Sequence, residues 1–257
     1  MVGTFIGVGV GPGDPELLTL KAAKTLQAVD VICVPKSQLN RPSMALGMVK
    51  NILDERKKPV EILELVFPMT KDELNNRKLW VENAKIVADK AIKGDVAFIT
   101  LGDPMLYSTF LYLYECVKET YPEIKLEIIP GVTSVTAVAA SSKLPLAEKE
   151  EVVTIMPSNL TPTHIEEVAK HADNIVFMKC AHHIREFISI LLKSGFSKDS
   201  TVALVKRCTL PNEKVLVGKL GDVGKWDISE DYFSVAIVKK SKVPIHWKQN
   251  GNGCGYK

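Results

Sequence analysis

The chain has 257 residues, 46% hydrophobic and 25% charged, which suits a soluble globular protein able to bury a core as one large domain or two modest ones. A net charge of +3 with dispersed lysines is too mild for a nucleic-acid binder but compatible with a polyanionic small molecule. No apolar run reaches the roughly 18 residues of a membrane span. Five scattered cysteines, odd in number and without a Cys-x-x-Cys pair, fit a reducing cytoplasm rather than a disulfide framework.

Met1–Ile6 lacks a charged n-region and runs straight into a strand-like pattern, so no signal peptide is expected. Phe5–Gly11 reads as a buried strand thinned by glycines, leading into Pro12-Gly13-Asp14-Pro15. Asp14 suits an N-cap and Pro15 a first helical residue, with Leu17, Leu18, Leu20, Ala22, Ala23 and Leu26 continuing at helical spacing. A dinucleotide-binding fingerprint fails here. Counting from Gly7 and Gly9 puts Pro12 at the third glycine, and counting from Gly9 and Gly11 puts Asp14 there, a carboxylate where a pyrophosphate should sit. The loop is built for close approach, but not to phosphate.

Asp30–Pro35 predicts a second strand, with Lys36, Ser37 and Arg41 in the following loop. Ser43 can cap a helix to about Leu53, and Val60–Phe67 reads as a third strand. Thr70 and Glu73 form a capping box for a long helix ending near Gly94.

Asp95–Ile99 is a short buried strand, and Thr109–Val117 is apolar enough for a helix. Between them Gly102 allows a tight turn, Asp103 can cap a helix, and Pro104 suits its first position. Strand end, turn and helix start meet at one polar point, where open α/β sheets bind ligands. An ordinary N-cap explains the same residues equally well, so position and company must decide.

Leu126–Ile129 is a strand stopped by Pro130-Gly131, and Thr133-Ser134 open a small-residue helix to Ala140. The pattern changes near Pro145, which places a domain boundary between about 128 and 150. Beyond it come strands at Val152–Ile155, Asn174–Met178 and Thr201–Val205, with helices at Pro162–His171 and His183–Lys193. Two closing strands, Glu213–Gly218 and Tyr232–Val238, leave no room for a helix between them and suggest a mixed sheet. The tail Gln249–Gly255 cannot bury enough surface to order itself. Cys180-Ala181-His182-His183 lacks the second cluster a zinc site needs, and no metal site is expected. No nucleophile elbow or His-Glu-x-x-His motif is present, so any reaction should rely on a reagent activated by its own chemistry.

Three segments then stand in order: Gly9-Val10-Gly11-Pro12-Gly13-Asp14, Gly102-Asp103-Pro104 and Pro130-Gly131-Val132-Thr133-Ser134. This set resembles the tetrapyrrole methyltransferases of cobalamin and sirohaem synthesis, which use S-adenosylmethionine. The run Leu101–Thr109 looks most like the branch that methylates carbon-20 of precorrin-2 or of its cobalt complex, cobalt-factor II.

The resemblance implies a class III S-adenosylmethionine methyltransferase: two α/β domains, at residues 1–128 and 129–242, with a cofactor cleft between them, followed by a loose tail at 243–257. It also implies a cytoplasmic homodimer, with S-adenosylhomocysteine as product. Pro12, Leu101, Gly102, Asp103, Leu106, Thr133, Ser134, Met178 and Cys208 should touch the cofactor, with Tyr107 and Ser108 added. Ser234 and Val235 would supply an adenine wall. Gly11, Gly13 and Asp14 would face a polycarboxylate tetrapyrrole, with or without cobalt. Lys36, Arg41, Lys143, Lys206 and Arg207 are its candidate carboxylate partners. Where the uroporphyrinogen III branch has an acidic residue after its second strand, this chain has Pro35-Lys36, so no catalytic base is carried over. The alternatives are a relative acting on another corrin position or on a diphthamide-type substrate, a nicotinamide-dependent oxidoreductase, and a non-catalytic tetrapyrrole carrier.

Overall fold

Five parallel strands organise the first half of the chain in the computed structural model, which describes residues 2–37, 42–68, 72–228 and 231–241. They are β1 (Thr4–Gly9), β2 (Val31–Lys36), β3 (Glu61–Val66), β4 (Val96–Thr100) and β5 (Lys125–Ile129), in the order β3-β2-β4-β1-β5. Because β4 is buried along its whole length and β1 from Phe5 onward, both read as near-continuous apolar runs rather than alternating ones. The intervening helices are α1 (Leu20–Ala28), α2 (Met44–Asp54), α3 (Glu73–Ala91) and α4 (Phe110–Thr120). Phe5 and Phe98 on the sheet meet Val87 of α3 with Phe110 and Leu113 of α4 in one core cluster, while α2 packs on β2 and β4 with α1 beside it.

The connections decide where this sheet can bind anything. From β1 the chain passes through α1 to β2 on one side, and from β4 through α4 to β5 on the other. The crossovers thus leave the adjacent strands β1 and β4 in opposite directions, and in open α/β sheets the carboxyl ends of such strands are where ligands bind.

The chain divides into two units between Thr133 and Ser134. The second contains α5 (Ser134–Ser142), β6 (Val153–Pro157), α6 (Pro162–Lys170), β7 (Asn174–Met178), α7 (Ile184–Lys193), β8 (Thr201–Lys206), β9 (Lys214–Lys219) and β10 (Ser234–Lys239). Its sheet runs β6-β7-β10-β8-β9, with β6 and β7 parallel and β10 antiparallel to both of its neighbours. The last strand is thus inserted at the centre and is buried at every position, including Lys239. The Lys239 ammonium donates to Glu151 Oε2 at 2.8 Å and to the Pro145 carbonyl at 3.2 Å, and Asn174 Nδ2 donates to the same carboxylate at 2.9 Å. One buried cation therefore ties the 145–151 loop to the sheet.

Local capping departs from the sequence expectation ahead of α1 and α3. Asp14 caps only a single 3-10 turn, Pro15–Leu17, because Leu18 is extended; α1 starts afresh under Thr19, whose hydroxyl accepts the Ala22 amide at 3.1 Å. The long helix α3 is capped by Asp72, which accepts the Asn75 amide at 3.1 Å. Thr70, Arg41 and the tail from 242 lie outside the described residues.

Candidate functional site

Three glycine-bearing loops lock together at the carboxyl edge of the first sheet. Past the end of β1, Gly11 and Gly102 exchange backbone hydrogen bonds, 3.3 Å from the Gly11 amide and 2.7 Å from the Gly102 amide. A Cβ on Gly131 would lie 2.1 Å from the Gly102 carbonyl oxygen, and one on Gly9 would lie 2.6 Å from the same atom. Only bare backbone fits such a junction.

Asp103 stands at this junction. Its Oδ2 accepts the Gly131 amide at 2.9 Å and its Oδ1 the Met105 amide at 2.8 Å. It does not cap the following helix as the sequence suggested. Residues 104–107 form a turn, Tyr107 sits in the left-handed region at φ 50°, and α4 begins only at Phe110. The N-cap, Thr109, makes no side-chain capping bond; the Ser108 hydroxyl before it accepts the Phe110 amide at 3.1 Å and pairs with Thr100 Oγ1 at 2.9 Å. That hydroxyl, expected to face a cofactor, is buried and engaged inside the loop.

A ligand's room begins beside Gly102, where an added Cβ would meet nothing nearer than Thr133 Cα and the Val132 carbonyl, both at 4.0 Å. Each Asp103 oxygen accepts one amide and keeps capacity for another donor. Carboxylate, open backbone, the Thr133 hydroxyl and half-buried Pro12, Leu101 and Leu106 suit a group with a cationic end and an apolar body. An amino-acid sulfonium such as S-adenosylmethionine fits that description, whereas a pyrophosphate would meet a fixed negative charge. At the same sheet edge, Asp14 accepts the Glu16 amide at 2.9 Å, and Lys36 pairs with Glu64 at 2.7 Å.

In the second unit, Val235 lies opposite Met178 on one side and Val205 on the other, and Ser234 opposite Lys206. Met178, Cys208, Ser234 and Val235 therefore gather at one edge of that sheet. Ser234 Oγ accepts the Ala181 amide at 2.8 Å, fixing the turn after β7. Cys208 Sγ lies 3.4 Å from Ser141 Oγ on α5, and Glu213 Oε2 accepts both Ser141 Oγ at 3.0 Å and the Thr209 amide at 2.5 Å. Burial pushes the Cys208 thiol up to about 11 and the Cys180 thiol up to about 12, so neither offers a thiolate near neutral pH. Ser134 opens α5, and Lys143 follows its last residue in the left-handed region at φ 55°. One residue at this edge had no sequence signal. Asp231 accepts Arg207 Nε at 2.6 Å and the Phe233 amide at 2.9 Å. Burial alone would raise its carboxyl, but these hydrogen bonds outweigh it and hold it below the usual range. Among the described residues no group of His, Cys, Asp and Glu is arranged to hold a metal ion.

The family described as Tetrapyrrole (Corrin/Porphyrin) Methylases matches residues 4–224. The chain belongs to this family. The methylase is 40% identical over 244 residues to a Methanocaldococcus jannaschii protein named "Probable cobalt-precorrin-2 C(20)-methyltransferase", with 94% of this chain and 98% of that one covered. It is 32% identical over 241 residues to the cobalt-precorrin-2 C(20)-methyltransferase of Salmonella typhimurium, covering 93% and 98%. Among solved structures, cobalt precorrin-4 methyltransferase superposes with a TM-score of 0.71 at 22% identity, over 92% of the methylase and 94% of that chain. Uroporphyrin-III C-methyltransferase from Thermus thermophilus, complexed with S-adenosylhomocysteine, gives 0.66 at 22% identity, over 92% and 97%. Both likenesses establish the fold as that of the class III methyltransferases.

Proposed function

We propose that the methylase transfers a methyl group from S-adenosylmethionine to carbon-20 of precorrin-2 or of its cobalt complex, leaving S-adenosylhomocysteine. The observation carrying this reading is the 40% identity to the archaeal C(20)-methyltransferase along nearly the whole of both chains. The chemistry of the Gly102–Asp103 junction supports it independently.

When bound, the cofactor would supply an electrophilic sulfonium methyl for transfer to the electron-rich meso carbon, with the thioether as leaving group and the ring proton lost. The chain's own work is placement. Asp103, held by two backbone amides, would receive the cofactor's ammonium without having to reorganise. The family resemblance adds Leu101, Gly102, Leu106, Thr133 and Pro12 in the first unit, and it names Ser134, Met178, Cys208, Ser234 and Val235 in the second, as further residues for the cofactor. Tyr107 flanks the junction, and Ser108 acts by holding the turn. Gly11, Gly13, Asp14 and Lys36 face the tetrapyrrole. Orientation of two reactants can lower a barrier by about 7–11 kcal/mol, so no dedicated base is required; the proton passes to water or to a substrate carboxylate.

Incubation with labelled S-adenosylmethionine and precorrin-2, with and without inserted cobalt, followed by mass analysis, tests this reading. One labelled methyl at carbon-20 is expected; methylation elsewhere on the ring, or none on either form, rejects it. From the family resemblance we also infer a cytoplasmic homodimer, which light scattering of the purified protein would check for assembly. No helix among the described residues is long and apolar enough to cross a membrane.

A further inference from the structure

The two strands flanking β10 end alike. β7 is followed by Lys179 and β8 by Arg207, and both residues sit in the left-handed region, at φ 58° and 51°. Lysine and arginine gain nothing there that glycine or asparagine would not gain more easily. The Lys179 amide donates to the Ser234 carbonyl and the Arg207 amide to the Phe233 carbonyl, each at 2.7 Å. The two residues just before these acceptors hold the side chains. Tyr232 lies under the Lys179 ammonium, 5.0 Å from ring centroid to nitrogen, and Asp231 binds Arg207 through Nε.

That pairing uses only one corner of the guanidinium. Among the described residues no hydrogen bond reaches Arg207 Nη1 or Nη2, and the side chain is 44% exposed. A plain surface ion pair would need neither the strained backbone nor a matching arrangement on the next strand but one. Strain repeated at two strand ends, each delivering an oriented cation, points to function.

We propose that Lys179 and Arg207 form a carboxylate seat, with Tyr232 and Asp231 as the residues that position them. Two intervening strand spacings separate the two backbones by about 10 Å, so long side chains can converge on one carboxylate or hold two on the rim of a macrocycle. Arg207 presents a planar pair of N–H donors suited to bidentate binding, and Lys179 adds a point charge. Within the reading of the protein as a C20-methyltransferase, on which this inference rests, the carboxylate belongs either to the tetrapyrrole's periphery or to the cofactor's amino-acid end.

Arg207→Gln, Lys179→Gln, Asp231→Asn and the wild type would be compared by absorbance titration with precorrin-2, calorimetry with S-adenosylhomocysteine, and steady-state kinetics. Arg207→Gln is expected to weaken one ligand about tenfold with kcat little changed, and Asp231→Asn to weaken the same ligand less. Loss confined to precorrin-2 assigns the seat to the substrate; loss confined to S-adenosylhomocysteine assigns it to the cofactor. Arg207→Gly separates binding from folding. It relieves the left-handed strain, so Tm should hold or rise while the affinity is still lost. Unchanged affinity for both ligands in the Arg207→Gln and Lys179→Gln variants, or a fall of Tm and kcat together in Arg207→Gly, overturns the seat. If the wild type itself neither binds S-adenosylhomocysteine nor methylates precorrin-2, the functional reading fails instead.

Discussion

The carboxylate of Asp103 and the amide of Gly131 meet at 2.9 Å, joining the turn after β4 to the end of β5 across 28 residues of sequence. Asp103→Asn keeps the shape but turns an NH2 group toward either the Gly131 or the Met105 amide, replacing an acceptor with a donor. A half-buried amide left unpaired costs about 1–3 kcal/mol. The variant should therefore melt earlier and also lose S-adenosylhomocysteine affinity by more than its stability loss explains. Calorimetric titration well below the melting range checks this; full retention of affinity would show that Asp103 is structural only.

Gly131→Ala tests the junction itself. Its Cβ would fall 2.1 Å from the Gly102 oxygen, and the obstacle is backbone, which cannot rotate away. Overpacking of this kind typically costs about 1–3 kcal/mol, and here it should also push the Asp103 turn out of register. Gly47→Ala is the control. Gly47 lies within α2, exposed, with nothing within 4 Å of an added Cβ, so the substitution should stabilise by about 0.5–1 kcal/mol. Urea titrations of the two variants should move in opposite directions.

Much of this was legible in the chain. The strands announced themselves because buried parallel strands are unbroken apolar runs, and Asn174–Met178 falls where its residues predict. The glycines marked close approach because nothing larger fits. Helix starts were harder. Asp103-Pro104 has the local chemistry of a cap, but the Asp103 carboxylate is drawn to the Gly131 amide, a partner no local window contains. Likewise Asp14 caps a single turn because Leu18 breaks to extended backbone before Thr19. The insertion of β10 between β7 and β8, which brings Asp231 to Arg207, is set by sheet pairing alone.

Trp80 on α3 and Tyr112 on α4 stack with ring centroids 4.1 Å apart and planes within 3°. Tyr112 is 45% exposed, so this pair contributes less than a buried one. Tyr112→Ala should cost about 1 kcal/mol, near the middle of the range for aromatic pairs, and Tyr112→Phe close to nothing. Both should leave S-adenosylhomocysteine affinity unchanged, since neither ring is among the residues assigned to the cofactor. A loss of affinity in either would show that the α3–α4 face communicates with the site.

Lys239 and Glu151 make the acid limit of the second unit readable. Burial alone would raise the Glu151 carboxyl, but hydrogen bonds from Lys239, Asn174 and the Glu148 amide outweigh it and hold it below the usual range. A carboxyl depressed in the folded state adds stability above its unfolded value and loses it as pH falls through the folded one. Wild-type stability should therefore decline below about pH 4, where an unperturbed glutamate titrates. Lys239→Met removes the cation and leaves the carboxylate with only the neutral Asn174 and Glu148 donors. Breaking a buried pair this way costs about 3–5 kcal/mol, and the low end applies because Glu151 keeps 24% of its side chain exposed. The variant should be less stable at pH 7 yet lose less on acidification, so the two stability–pH curves converge toward pH 3. Parallel curves over that range would mean that the loop at 145–151 is held by the Asn174 amide rather than by the buried ammonium.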